Sequence, residues 1–288
     1  MTIKLFNQQL NASSATEGQY QHWQTYREAV TAFIISNTLK GGTTTIIGAG
    51  NCNDLDLSAL QKHHHRLVLT DIDMDAMERG CHQQKVEVER VAVDYLGLEK
   101  TDLLEKVADL LIHFNLEMFK KHLHEMLEVI KEQDWQWLGD IEGDVVVLPI
   151  YTQLLFRQIE SSLNGGLITD LISQENYTDA VRVLLDVMPR VIKAFNHGIE
   201  KTLDVGSNVI VLSDYLEDVP DGQYAGQFLD LAFESVYTDY FNQYGMGLGH
   251  YGHYDMNQRL KPKAEQWLRW PFDGHRHMFV KAISYINA

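Results

Sequence analysis

Cysteine is scarce. Cys52 and Cys81 are the only two in 288 residues, too few for a disulfide framework, so a reducing compartment is expected and Cys52 reads as an inert buried thiol. Basic residues are also in deficit: 24 lysines and arginines stand against 40 aspartates and glutamates, a formal charge of -16. The basic residues are scattered rather than gathered in a run. Such a field repels phosphate backbones and anionic lipid surfaces, so the expected partner is a small molecule and not nucleic acid. No apolar run nears the roughly 20 residues of a bilayer-crossing helix, and the opening MTIKLFNQQLNASS lacks the basic-then-apolar order of a secretory signal. A cytoplasmic chain with no membrane association is expected.

What remains is an ordinary globular composition, 45% hydrophobic and 22% charged, with material for one large core. Residues 1–18, rich in Asn, Gln, Ser and Thr, show no apolar periodicity and predict a flexible leader. From 19 to 42, Tyr20, Trp23, Tyr26, Val30, Phe33, Ile34 and Leu39 keep spacings of three and four, one face of a helix closed by Gly41-Gly42. The period then changes. TTTIIGAG reads as a buried strand running into a tight turn, DLDLSALQKHH as a helix, HRLVLTDID as a second strand, MDAMERGCHQQ as a helix and VERVAVDY as a third strand. Strands alternating with helices imply parallel pairing through right-handed crossovers.

A helical stretch over 101–133 precedes a fourth strand, GDVVVLPIY, and a helical region over 154–203 precedes a fifth, SNVIVLSD. Pro189 is expected to kink or divide that second region. Residues 223–241 read as helical, and GMGLGHYGHYD as too glycine-rich for helix or strand. AEQWLRWPF and HRHMFVKAISYI, joined by Asp273-Gly274, predict a closing β-hairpin. One domain over 19–288 is expected, with helical insertions near 98–140 and 151–204.

A glycine-rich turn between a buried strand and a helix lets backbone approach a ligand and offers unpaired amides. Asp71, 21 residues beyond Gly50 at the tip of the second strand, is spaced to hold ribose hydroxyls. Asp94 ends the next strand, so three successive strand ends point polar groups at one crevice. Asp73 and Asp75 are better placed than Asp71 to cap the following helix.

IIGAGNCNDLDL, LVLTDID, VAVDY and DVVVLPIY, in this order, resemble the first four motif regions of class I S-adenosylmethionine-dependent methyltransferases. The resemblance runs from about Trp23 to Ile286. It implies an α/β fold, a Rossmann-like seven-stranded mostly parallel sheet with helices on both faces and the last strand antiparallel. It implies S-adenosyl-L-methionine as cofactor: Gly48, Ala49 and Gly50 at its methionine part, Asp71 and Ile72 at its ribose, Asp94 and Tyr95 at its adenine, and Pro149 at the fourth strand's end. Ile46 stands where the family often has an acid, and Cys52 and Asn53 stand near the third glycine. Asn51, Asn53 and Asp54 are then the candidates for the amino-carboxylate end, with Asp54 placed either to cap the next helix or to meet the cofactor's ammonium group.

The sulfonium methyl is already activated, so the protein must align a nucleophile, exclude water and remove a proton where there is one. Tyr151 and Gln153, beyond the fourth strand, are candidates for the acceptor, Tyr151 also for a catalytic part. The GHYGHYD segment is expected to be a lid whose His250 and His253 supply an acid-base group, with Tyr254 beside the acceptor. His63-His64-His65 and His275 with His277 read as solvent-facing rather than as a metal site. Two other readings share these features: a nicotinamide-dependent oxidoreductase, and a Rossmann-like module that binds the cofactor without transferring methyl.

Overall fold

A computed structural model describes residues 3–13, 17–99, 101–103, 106–107, 115–133, 143–159, 174–218, 233–273 and 275–288. Within them Thr43–Ile47 forms β1, and Arg66–Asp71, Glu89–Ala92, Asp144–Val147 and Asn208–Asp218 form β2, β3, β4 and β5. These five strands pair in parallel. Lys261–Trp270 (β6) and His277–Ile286 (β7) complete the order β3-β2-β1-β4-β5-β7-β6, with β7 antiparallel to both neighbours. The expected mostly parallel seven-stranded sheet with a C-terminal antiparallel hairpin is therefore present. At the hairpin tip the Asp273 amide donates to the Arg276 carbonyl at 3.3 Å; Gly274 lies outside the described residues.

Strand alternation sends successive side chains to opposite faces, and each face is covered by helices. On one face Val145, Val147, Val209, Val211, Ile283 and Tyr285 pack with the apolar sides of Leu116–Lys131 (α6) and Gln174–Thr202 (α7). On the other, Ile46, Val146, Ile210, Leu212, Val280 and Ala282 meet the helices Gln24–Asn37 (α3), Leu57–His63 (α4) and Met74–Gln84 (α5). Short polar side chains start these helices. Asp56 caps α4 through Ala59 N, Asp73 caps α5 through Ala76 N, and Asn115 caps α6 through Met118 N. Asp73 thus takes the capping role expected of it, and Asp54 is released from capping.

Several elements differ from the sequence reading. Ile3–Ser13 of the leader is a helix, α1, because its polar side chains find fixed partners. Asn11 Nδ2 donates to Asp73 Oδ2 at 3.1 Å, and the Asn11 carbonyl accepts Asn51 Nδ2 at 2.6 Å. The first long helix divides at Trp23 into Glu17–His22 (α2) and α3. α7 passes through Pro189 as one helix; the carbonyl that proline orphans, that of Leu185, belongs to an exposed residue that water can reach. Of the regions expected to be helical, 104–105, 108–114, 160–173 and 223–232 lie outside the described residues. Phe233–Tyr244 (α8) is helical as expected.

The glycine-rich stretch is the sharpest correction. Leu248–Asn257 is a helix, α9, and its glycines serve close packing rather than a hinge. A Cβ on Gly249 would stand 2.0 Å from the Asp214 carbonyl, and one on Gly252 2.2 Å from the Tyr151 ring. His64 is likewise buried rather than solvent-facing. Its Nδ1 lies 3.0 Å from Thr44 Oγ1, and burial lowers its pKa to about 4.

Candidate active site

Ile46 and Ile47 are fully buried and fix the end of β1, from which Gly48-Ala49-Gly50 turns sharply. Gly48 and Gly50 adopt φ of 80° and 47°, the region where a side chain is strained. The turn is held from two sides. Gly48 N donates to Tyr95 Oη at 2.9 Å, and Gly50 N to Asp71 Oδ2 at 2.9 Å. Asp71 Oδ1 accepts Asp73 N, and Thr70 Oγ1 lies 3.0 Å from Tyr95 Oη. Three consecutive strand tips are thereby tied into one ledge.

Above the ledge opens a cavity of about 340 Å³, within the size of small-molecule sites. Gly48, Ala49, Gly50, Asn51, Asn53 and Asp54 line it from β1; Asp71, Ile72, Asp94 and Tyr95 from β2 and β3; Pro149 and Gln153 from beyond β4. Every residue expected around a nucleoside cofactor therefore faces one cleft. Burial raises the Asp54 carboxyl to about 7, against the pull of its own backbone hydrogen bond and Arg27. It raises Asp71 to about 6, against the amides of Asp73 and Gly50.

Other members of the set are partly committed to the fold. Asp94 Oδ1 accepts Leu96 N and Gly97 N, and Oδ2 accepts Glu99 N, which builds the turn after β3. Asn51 donates to Asn11 and accepts from Arg79. Cys52, 1% exposed and with a positive φ of 53°, carries a thiol pushed up by burial and is a packed residue rather than a nucleophile.

The far end of the cleft is aromatic. Trp23, at the head of α3, meets Trp270 edge-on at 4.9 Å, and Phe272 meets Trp270 at 5.0 Å. Trp270 and Phe272 come from the tip of β6, on the opposite side of β1 from Asp71 and Asp94. The sequence reading placed Trp23 on the apolar face of a helix and did not join the hairpin tip to the site. The signal was the aromatic pair WPF directly before Asp273-Gly274, but nothing local says which cleft a hairpin tip overhangs. Asn7, Leu10 and Asn11 of α1 also reach the cleft.

Tyr151, His250, His253 and Tyr254 do not line it. Tyr151 is fully buried, its hydroxyl donating to Asn196 Oδ1 at 2.8 Å. His253 is locked behind β5, with Nε2 3.1 Å from the Val211 carbonyl and Nδ1 2.8 Å from Tyr215 Oη. Burial lowers its pKa to about 3, so the ring is neutral. His250 Nδ1 lies 2.6 Å from Tyr237 Oη, and Tyr254 is exposed on the outside of α9. A rigid, packed helix in place of a loop puts the expected lid and its acid-base pair away from the cleft.

No family model and no curated protein matches the chain. Solved structures do. The chain is similar to N-methyltransferase NodS from Bradyrhizobium japonicum WM9 in complex with S-adenosyl-L-homocysteine, at 10% identity and TM-score 0.46 over 98% of each chain. It is similar to a SAM-dependent methyltransferase from Methanosarcina mazei at 10% identity and TM-score 0.41, over 88% of this chain and 96% of that one. A putative methyltransferase of Haloferax volcanii, solved with its Trm112 activator, gives 9% identity and TM-score 0.44 over 96% and 97%. At that level of superposition a functional reading rests on the strand order and the cleft, not on the neighbours' names.

Proposed function

We propose that the chain is an S-adenosylmethionine-dependent methyltransferase acting on a small molecule. One observation carries the reading: the Gly48–Gly50 turn is clamped between the Asp71 carboxylate and the Tyr95 hydroxyl at the floor of a cleft that runs on to an aromatic end. The sheet order β3-β2-β1-β4-β5-β7-β6 supports it.

The residues present fit the cofactor. A Cβ on Gly48 would come within 3.2 Å of Ile150 Cδ1, closing the floor where the methionine part would lie. Asp71 would hold the ribose, the β3 end near Asp94 and Tyr95 the adenine, and Asp54 with Asn53 the amino-carboxylate group. When bound, the cofactor supplies an activated methyl on a sulfonium. Asp54, once ionised, would pair with the ammonium, and Trp23, Trp270 and Phe272 would keep water from the acceptor side while orienting the acceptor. Asp71→Ala tests the assignment. The purified chain should bind S-adenosylhomocysteine by calorimetry, and the substitution should weaken it at least tenfold without changing the far-ultraviolet circular dichroism. Stabilisation by NAD and not by S-adenosylhomocysteine would replace the reading with an oxidoreductase.

A further inference from the structure

With α9 packed away from the cleft, a different element covers it. α1 carries Lys4, Asn7 and Asn11 at spacings of three and four, with Leu10 beside them, so these residues share one side of the helix. Asn7, Leu10 and Asn11 line the cleft. Leu5 is 45% exposed. Two amide side chains thus turn inward and an apolar one faces water, the reverse of what packing against a core selects.

Both ends of α1 are tied to the cofactor half of the cleft. At the C-terminal end Asn11 Nδ2 donates to Asp73 Oδ2 and the Asn11 carbonyl accepts Asn51 Nδ2. A Cβ on Gly50 would stand 3.1 Å from Asn11 Oδ1, so this side chain lies directly on the glycine turn. At the N-terminal end Lys4 N donates to Glu99 Oε1 at 2.5 Å, and Glu99 N donates to Asp94 Oδ2 at 2.7 Å in the turn after β3. The helix therefore runs lengthwise from the glycine turn to the β3 turn, its 11 residues spanning about 16 Å. Its hold on the rest of the fold is peripheral. None of its side chains from 4 to 12 is buried, and no α1 residue enters either of the two large core clusters. A helix of this length is marginal in water by itself, so α1 can open while both cores stay intact.

We propose that α1 is a lid over the cofactor half of the cleft, opening for cofactor exchange and closing on the bound cofactor, with Asn11 the positioning residue that fixes Asn51 and the glycine turn in the closed form. This rests on the methyltransferase reading above. A cofactor lying between the strand tips and α1 touches both. Its binding adds contacts that only the closed helix makes, and its departure requires those contacts to break first.

Two variants separate covering from positioning. Gln9→Pro, at an exposed position outside the cleft lining, breaks the helix without touching the site. Asn11→Ala removes the side-chain contacts while favouring the helix, because alanine is the better helix former. S-adenosylhomocysteine is the probe, and the full chain is used throughout. Amide hydrogen exchange over residues 3–13 should slow at least tenfold when the probe is saturating. Its dissociation, followed by surface plasmon resonance, should be at least tenfold faster from Gln9→Pro and threefold faster from Asn11→Ala. Association should be no slower than in the parent chain, and the urea midpoint should not move. Unchanged exchange over 3–13, or a Gln9→Pro chain that releases the probe as slowly as the parent, overturns the lid. Parent-like release from Asn11→Ala overturns the role given to Asn11. A parent chain that does not bind S-adenosylhomocysteine at all sinks the cofactor reading and the lid with it, whereas binding with α1 unresponsive sinks the lid alone.

Discussion

Two buried carboxyls face the cleft with raised pKa values, Asp54 at about 7 and Asp71 at about 6. An acid raised by folding stabilises the fold below its unfolded value and loses that contribution as pH climbs through its folded value. His64 and His253, lowered to about 4 and about 3, act in the opposite sense: their contribution is present above the unfolded histidine value and fades as pH falls. The two pairs oppose one another across pH 4–7, so the melting temperature of the free protein is a poor reporter of the acids. Ligand binding isolates them, because neither histidine lines the cleft. If the cofactor's ammonium pairs with ionised Asp54, affinity for S-adenosylhomocysteine should rise about tenfold between pH 5.5 and 8, with proton release on binding. Asp54→Asn should flatten the profile and abolish the release, measured by calorimetry in buffers of differing ionisation enthalpy. A profile unchanged by the substitution would assign the ammonium to another group. Asp71 was legible as an acid at the cleft because its spacing from the glycines is local. Asp54 was not separable from a helix cap until Asp56 was seen to hold the Ala59 amide.

At the scale of elements, local pattern identified the five parallel strands and the closing hairpin: β1, β2, β4, β5 and β7 bury short β-branched runs, while β3 and β6 are mostly exposed and were read from their spacing to neighbouring elements. It misassigned α9, where Gly249 and Gly252 looked like punctuation. Glycine in a helix interior costs about 1 kcal/mol relative to alanine, so intrinsic propensity favours Gly252→Ala. Packing decides otherwise: the added Cβ would stand 2.2 Å from a fully buried tyrosine ring that is itself held by Asn196. Overpacking of that kind costs roughly 1–3 kcal/mol or more. Gly252→Ala should therefore destabilise the protein despite its better helix propensity, as read by the urea midpoint. An unchanged or raised midpoint would mean that α9 moves away from β5 without cost. α1 was missed for a different reason. Its apolar residues Ile3, Phe6 and Leu10 do fall at helical spacing but are few among polar ones, and long-range bonds to Asp73 and Asn51 that no local pattern announces help to fix it.

The cleft is lined from the ends of β1, β2, β3 and β4 and from the tip of the β6–β7 hairpin, with carboxylates on one side of β1 and aromatic rings on the other. Neither half is visible from one segment of chain; they meet because the hairpin returns β7 beside β5 and carries the β6 tip over the same edge. The global charge of -16 and the internally paired Arg276 act together on the choice of partner. Affinity for nucleic acid grows with the number of phosphates that lysine and arginine neutralise, and each such contact makes binding fall with salt. This chain offers the cleft one guanidinium that already holds two carboxylates, inside a field of the repelling sign. At 150 mM salt a fluorescein-labelled RNA hairpin should show no anisotropy change up to about 10 μM protein, well below the weak end of nonspecific affinities. Lowering the salt to 20 mM should reveal little more, since repulsion between like charges is screened less there. Binding that appears at low salt and weakens steeply as salt is added would require a basic surface outside the cleft, and the small-molecule acceptor would then have to be reconsidered in favour of a base or sugar on a longer strand.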